Sequence, residues 1–204
     1  MRRFCLVVLL VFAGLGSPAH ADGLRAAVEL CVDHDISFDG LREGLIALGY
    51  GPGKDHDQWL IAEAEAISSV MFFFGTEFHK QTQIDLNYDM LKGAAKVDFA
   101  HILGTIDGHA VMISRDADDT TRHGYRCLFA LRGVPEGLED AVFAKTVNRN
   151  VKDMGFYKMT STSAKSGGVK EWRFVADLDS EAVDARPPDR PGVSAVILTN
   201  VKEE

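Results

Sequence analysis

Two cysteines, Cys31 and Cys127, are all that remains of the thiols in this 204-residue chain once its leader is set aside, and their pairing limits the folds open to it. The leader is read from three adjoining features. Arg2 and Arg3 give a positive start, Phe4 to Leu15 is an unbroken apolar or small-residue run, and Ser17-Pro18-Ala19-His20-Ala21 ends in an A-x-A pattern. The run falls short of the roughly 18 to 20 apolar residues that span a bilayer, and Asp22 follows at once. Residues 1–21 therefore read as a secretory signal peptide cleaved after Ala21, which also carries off Cys5. Cys5 lies at the start of the apolar run, whereas a lipid-bearing cysteine follows one. Arg2-Arg3 lacks the flanking residues of a twin-arginine signal, which points to the general secretory route. Two thiols in an oxidising compartment pair, so a Cys31–Cys127 disulfide is expected, and the fold must bring the two Cα atoms to about 6 Å.

Local periodicity is consistent with that demand. Leu24, Ala27, Val28 and Cys31 recur at helical spacing, which puts Cys31 on the apolar stripe of a first helix ending near Asp33. Tyr125, Cys127, Phe129 and Leu131 alternate along a strand Tyr125 to Arg132, so Cys127 shares its inward face. A helix-to-sheet bridge follows.

The rest of the chain is read in the same way. Ser37 or Asp39 begins a second helix carrying Leu41, Leu45 and Leu48 and stopping at Gly49, and Gly51-Pro52-Gly53 makes a turn. Asp57 caps a third helix along Leu60, Ala64, Ile67, Met71 and Phe74, although Val70 to Phe74 also suits a buried strand. Residues 76–98 give no firm boundaries beyond a short helix around Tyr88 to Lys96. Asp107-Gly108 predicts a type I′ hairpin turn leading into a strand Ala110 to Arg115. A further helix runs from Pro135 or Glu136 along Leu138, Val142, Phe143 and Val147 to near Gly155. A second hairpin joins Tyr157–Ser163 to Val169–Ala176 with Trp172, Phe174 and Ala176 on one side. Arg186 to Pro191 reads as an extended surface loop, and Val193 to Val201 as a last strand. The expected fold class is α+β: an antiparallel sheet with hairpins, packed against N-terminal helices and one later helix, with residues 22–204 as a single domain.

Charge excludes some partners. Cleavage removes two of the 22 Lys and Arg and none of the 30 Asp and Glu, leaving a formal charge of −10 with His neutral. That surface repels phosphate backbones and anionic lipid, and the basic residues are scattered, so neither nucleic-acid binding nor stable membrane insertion after cleavage is expected. A cationic partner suits it better.

Catalytic and metal-binding patterns are thin. Asp33-His34-Asp35 and Asp55-His56-Asp57 repeat one tripeptide, but neighbouring residues on a helix diverge, and helix ends account for both. His101, His109 and His123 flank the predicted hairpin and are the candidate zinc or copper ligands, without the H-x-H or H-E-x-x-H spacing that would fix their directions. Asp116, Asp118 and Asp119 resemble half a calcium loop without its Gly and closing Glu. No G-x-S-x-G occurs, and the nearest approach to S-x-x-K has Thr162 before Lys165. Gly49 to Lys54 is turn chemistry rather than a phosphate loop. Trp59, Phe72, Phe73, Phe74, Phe78 and Trp172 would line an apolar pocket if they are not simply core.

The chain thus reads as a periplasmic or secreted, disulfide-containing domain that binds an envelope or extracellular partner and needs no cofactor. The alternative is an exported hydrolase or metal-dependent enzyme in which His101, His109 or His123 meets Asp116 or Asp118 only in the fold. A copper or zinc carrier is a third reading.

Overall fold

The computed structural model describes residues 18–33, 35–73, 80–94, 100–104, 108–115, 124–144, 146, 148–153, 157–166, 169–178 and 191–203. Five helices and one eight-stranded antiparallel sheet are formed among them: α1 (Pro18–Cys31), α2 (Phe38–Ala47), α3 (Asp55–Phe73), α4 (Lys80–Ala94) and α5 (Leu138–Val142), with β1 (Gly51–Pro52), β2 (Ala100–Gly104), β3 (Ala110–Ser114), β4 (Tyr125–Leu131), β5 (Asn150–Asp153), β6 (Tyr157–Ser166), β7 (Val169–Leu178) and β8 (Ala195–Glu203). This is the α+β architecture read from the sequence.

Alternation along the central strands sorts the side chains into two layers. Cys127, Phe129 and Leu131 of β4, Val111 and Ile113 of β3 and Ile197 of β8 meet the apolar stripes of α1 and α2 and the short α5. Leu128 and Ala130 of β4, with Phe174, Ala176, Val196 and Leu198, face the opposite way and meet α3 and α4. The sheet is therefore covered on both faces. Strand order is β1-β2-β3-β4-β8-β7-β6-β5, so the last strand inserts at the centre and joins two meanders.

Helix ends follow local chemistry. Ser37 caps α2, its hydroxyl accepting from the Gly40 N–H at 3.2 Å, and Gly49 leaves the helix at φ 96°. Asp57 does act at the start of α3, but from inside the helix: its carboxylate reaches back to accept from the Lys54 N–H at 2.8 Å, so the helix begins three residues earlier than a cap at Asp57 would place it. The segment Val70 to Phe73 is helical. α3 is buried almost all round because α4 covers the side that the sheet leaves open, and its Glu63 accepts from the N–H groups of Gly192 and Val193 at 3.0 and 2.8 Å.

Four local expectations are corrected by long-range pairing. Gly51-Pro52 is a two-residue edge strand on β2 rather than a turn, a place where a proline costs no ladder bond. Gly108 does take a positive φ of 77°, but the β2–β3 ladder closes at Gly104 and Ala110, a longer connection than a two-residue type I′ loop. The helix expected around Tyr88 to Lys96 is α4, earlier and longer. The helix expected to reach Gly155 stops at Val142, because Asn150–Asp153 pairs with β6 instead.

Gly104 needs its missing side chain for a packing reason, since a Cβ there would overlap the buried Asp57 carboxylate. Gly104→Ala is expected to cost about 1–3 kcal/mol through overpacking and the disturbed cap. Urea unfolding checks this, and the penalty should shrink in an Asp57→Ala background; an equal penalty in both would place its cause elsewhere.

Candidate functional site

The C-terminal end of α1 is fastened to the sheet at three points. Cys31 is bonded to Cys127 with the Cα atoms 6.2 Å apart. The Thr199 hydroxyl of β8 donates to the Cys31 carbonyl at 3.2 Å, and the Tyr125 hydroxyl of β4 donates to the Asp33 carbonyl at 2.5 Å. Carbonyls at a helix end lack intrahelical partners, and here the sheet supplies donors to two of them.

Beside this anchor the inner face of the sheet changes character. One cross-strand row runs Ile113, Cys127, Thr199, Arg173, Thr162 from β3 to β6, passing from apolar to polar. Arg173 is 3% exposed and Glu171, two residues earlier on the same face, is 8% exposed; the Arg173 Nε donates to a Glu171 carboxylate oxygen. The Arg173 Nη1 donates to the carbonyls of Val142 and Ala144 at 2.6 and 3.2 Å, just past the end of α5. The fold thus uses Nε and Nη1, and among the described residues none accepts from Nη2.

Above this pair lies a cavity of about 650 Å³, within the usual range of small-molecule sites. Its floor is Thr162, Glu171 and Arg173, and the α1 end contributes Glu29, Asp33 and Asp35 to its rim. Glu29 is held by Arg25 at 3.0 Å, and Asp33 Oδ1 accepts from the Asp35 N–H at 3.1 Å. Burial draws the Arg173 guanidinium down to about 10, with Tyr125 opposing, so it stays charged at neutral pH. Tyr125 is held above the usual phenol range, first by burial and then by the Asp33 charge, while Arg173 opposes. Both the rim carboxylate and the floor guanidinium therefore act on one ring.

Tyr125 gives a test of this electrostatic assignment. Below about pH 10 its hydrogen bond should stabilise the fold by about 1 kcal/mol relative to Tyr125→Phe. Above that, the unfolded phenol ionises while the folded one keeps its proton, so the advantage should fall by about 1.4 kcal/mol per pH unit. Urea unfolding of both proteins from about pH 8 to about pH 11 measures it; a gap independent of pH would contradict the assignment.

Asp33 and Asp35 of the first Asp-His-Asp triplet line this cavity, whereas the second triplet lies elsewhere. His101 lies opposite Ile113 in the β2–β3 ladder, His109 is half-buried beside β3, and His34, His123, Asp116, Asp118 and Asp119 lie outside the described residues. Asp57 turns inward onto Gly104, while the exposed His56 places Nε2 3.4 Å from Arg132 Nη2, so that tripeptide diverges. Among the described residues no group of three or more His, Cys, Asp or Glu is placed to hold a metal. Charged side chains line the cavity beside small apolar ones, and neither tryptophan expected in an apolar pocket lines it: Trp59 is exposed, and Trp172 stacks on Phe174 with ring centres 5.3 Å apart, while Phe74 and Phe78 lie outside the described residues.

Sequence reasoning missed Glu171 and Arg173. They alternate with Trp172 and Phe174, and such charges are normally taken as the solvent face of a half-covered strand. Comparison with known protein families, with characterised proteins and with solved structures finds no match to this chain.

Proposed function

We propose that this protein is an exported binding or accessory domain of the cell envelope, which loses residues 1–21 and works in the periplasm or outside the cell. The observation that carries this reading is the buried Cys31–Cys127 bond, which needs an oxidising compartment to form and persist. Cleavage after Ala21 is compatible with the fold, because Leu24, Ala27, Val28 and Cys31 of α1 all lie beyond it. No helix among the described residues is long and apolar enough to cross a membrane. Binding rather than catalysis is favoured by the cavity, whose charged floor is held in place by the α5 carbonyls.

Expression of the whole chain with its own leader, followed by cell fractionation and intact mass measurement without reductant, tests export. The expected species is residues 22–204 lacking two hydrogens. An intact Met1, or both thiols open to alkylation, would overturn the reading. Turnover of ester, peptide or glycan substrates by the purified mature protein would replace binding with catalysis.

A further inference from the structure

We propose that the cavity between the end of α1, the end of α5 and the β6–β7 face binds a small zwitterion, an amino acid or short peptide, with its carboxylate on Arg173 Nη2 and its ammonium on Asp33 and Asp35. This rests on the binding reading above and supplies its ligand class.

The assignment comes from what the fold leaves unused. Arg173 is buried and lines the cavity, its Nε is taken by Glu171, and Nη1 is taken by two backbone carbonyls. Its Nη2 has no acceptor among the described residues, so a cationic edge with two donors remains at the floor. An oxyanion is the group that such an edge recognises. A simple anion fits poorly, however, because the Glu171 carboxylate balances the guanidinium and the rim carries further carboxylates. A simple cation would satisfy that rim and offer no acceptor to Nη2. Only a ligand with both charges answers both ends. Asp33 spends Oδ1 on the Asp35 N–H and keeps Oδ2 for an ammonium. Buried Thr162, opposite Arg173 in the β6–β7 ladder, puts a hydroxyl beside the oxyanion position. A volume of about 650 Å³ admits a peptide of a few residues.

The test uses the oxidised mature protein and five probes: alanine, dialanine, trialanine, N-acetyl-trialanine and trialanine amide, titrated by calorimetry and by amide chemical shifts. Saturable binding of at least one unblocked probe is expected, with at least a tenfold loss when either end is blocked. The Asp33→Asn/Asp35→Asn double variant changes exposed side chains, and the amide oxygen introduced at position 33 can still accept from the residue 35 N–H. It should fold normally by circular dichroism and bind unblocked trialanine no better than the acetylated form. Arg173→Lys should weaken every probe that bears a carboxylate; if that variant does not fold, the end-blocked probes and the rim variant decide. Absence of saturable binding at millimolar concentration for all unblocked probes, or equal binding of blocked and unblocked forms, would overturn the proposal. Neither result bears on the leader or the disulfide, so the exported-domain reading stands or falls separately.

Discussion

Cys31→Ala lowers the free energy of unfolding by about 2–5 kcal/mol relative to the oxidised protein, one of the two largest single losses expected for this fold. The bond closes a loop with a sequence separation of 96, for which the chain-entropy treatment gives about 4.7 kcal/mol. Most of that loss arises in the unfolded chain, which regains the conformations that the crosslink removed. The folded state keeps its other ties at the same place: Thr199 still donates to the residue 31 carbonyl, and Tyr125 to that of Asp33. The variant should therefore keep its circular dichroism spectrum while its urea midpoint falls. Hydrogen exchange should rise first in α1, whose packing against α2 and α5 is no longer covalently backed. A loss below about 1 kcal/mol would mean that the crosslink does not constrain the unfolded chain as this account requires.

The second large effect concerns the buried pair under the cavity. Arg173→Met should cost about 3–5 kcal/mol, because it leaves the Glu171 carboxylate buried without its guanidinium and strips the Val142 and Ala144 carbonyls of their donor. Replacing both partners, as Glu171→Gln with Arg173→Met, should cost less than the sum of the single changes, since an uncharged pair carries no unbalanced charge into the core. A thermodynamic cycle in urea measures the coupling, expected between about 0.5 and 3 kcal/mol. Additive losses would show that the two side chains act independently. The cycle also separates two roles of one residue: the double variant should recover stability without recovering the Nη2 edge.

Much of the architecture follows from short-range pattern. Helical spacing at Leu24 to Cys31 and alternation at Tyr125 to Leu131 each turn one cysteine inward without reference to the other, and the two meet. Trp172, Phe174 and Ala176 share a side as their alternation requires, with Phe174 and Ala176 in the core against α3 and α4. The errors cluster where a distant segment competes with a local preference. Leu138, Val142, Phe143 and Val147 have helical spacing, yet α5 ends early: the Thr146 hydroxyl donates to the Phe143 carbonyl at 2.7 Å, Arg173 takes the carbonyls of Val142 and Ala144, and Arg149 folds back over the Phe143 ring at 5.1 Å.

Side-chain direction along each element was written into the sequence, because an α-helix repeats every 3.6 residues and a strand every two whatever lies nearby. Which elements become neighbours was not, since that depends on pairings between residues far apart in the chain. The insertion of β8 between β4 and β7, together with helices on both sides of the sheet, decided that Glu171 and Arg173 face a covered layer rather than water. The same pair of residues on a half-covered sheet would be ordinary solvated charges. Enclosed beneath α1 and α5, they become the floor of a cavity.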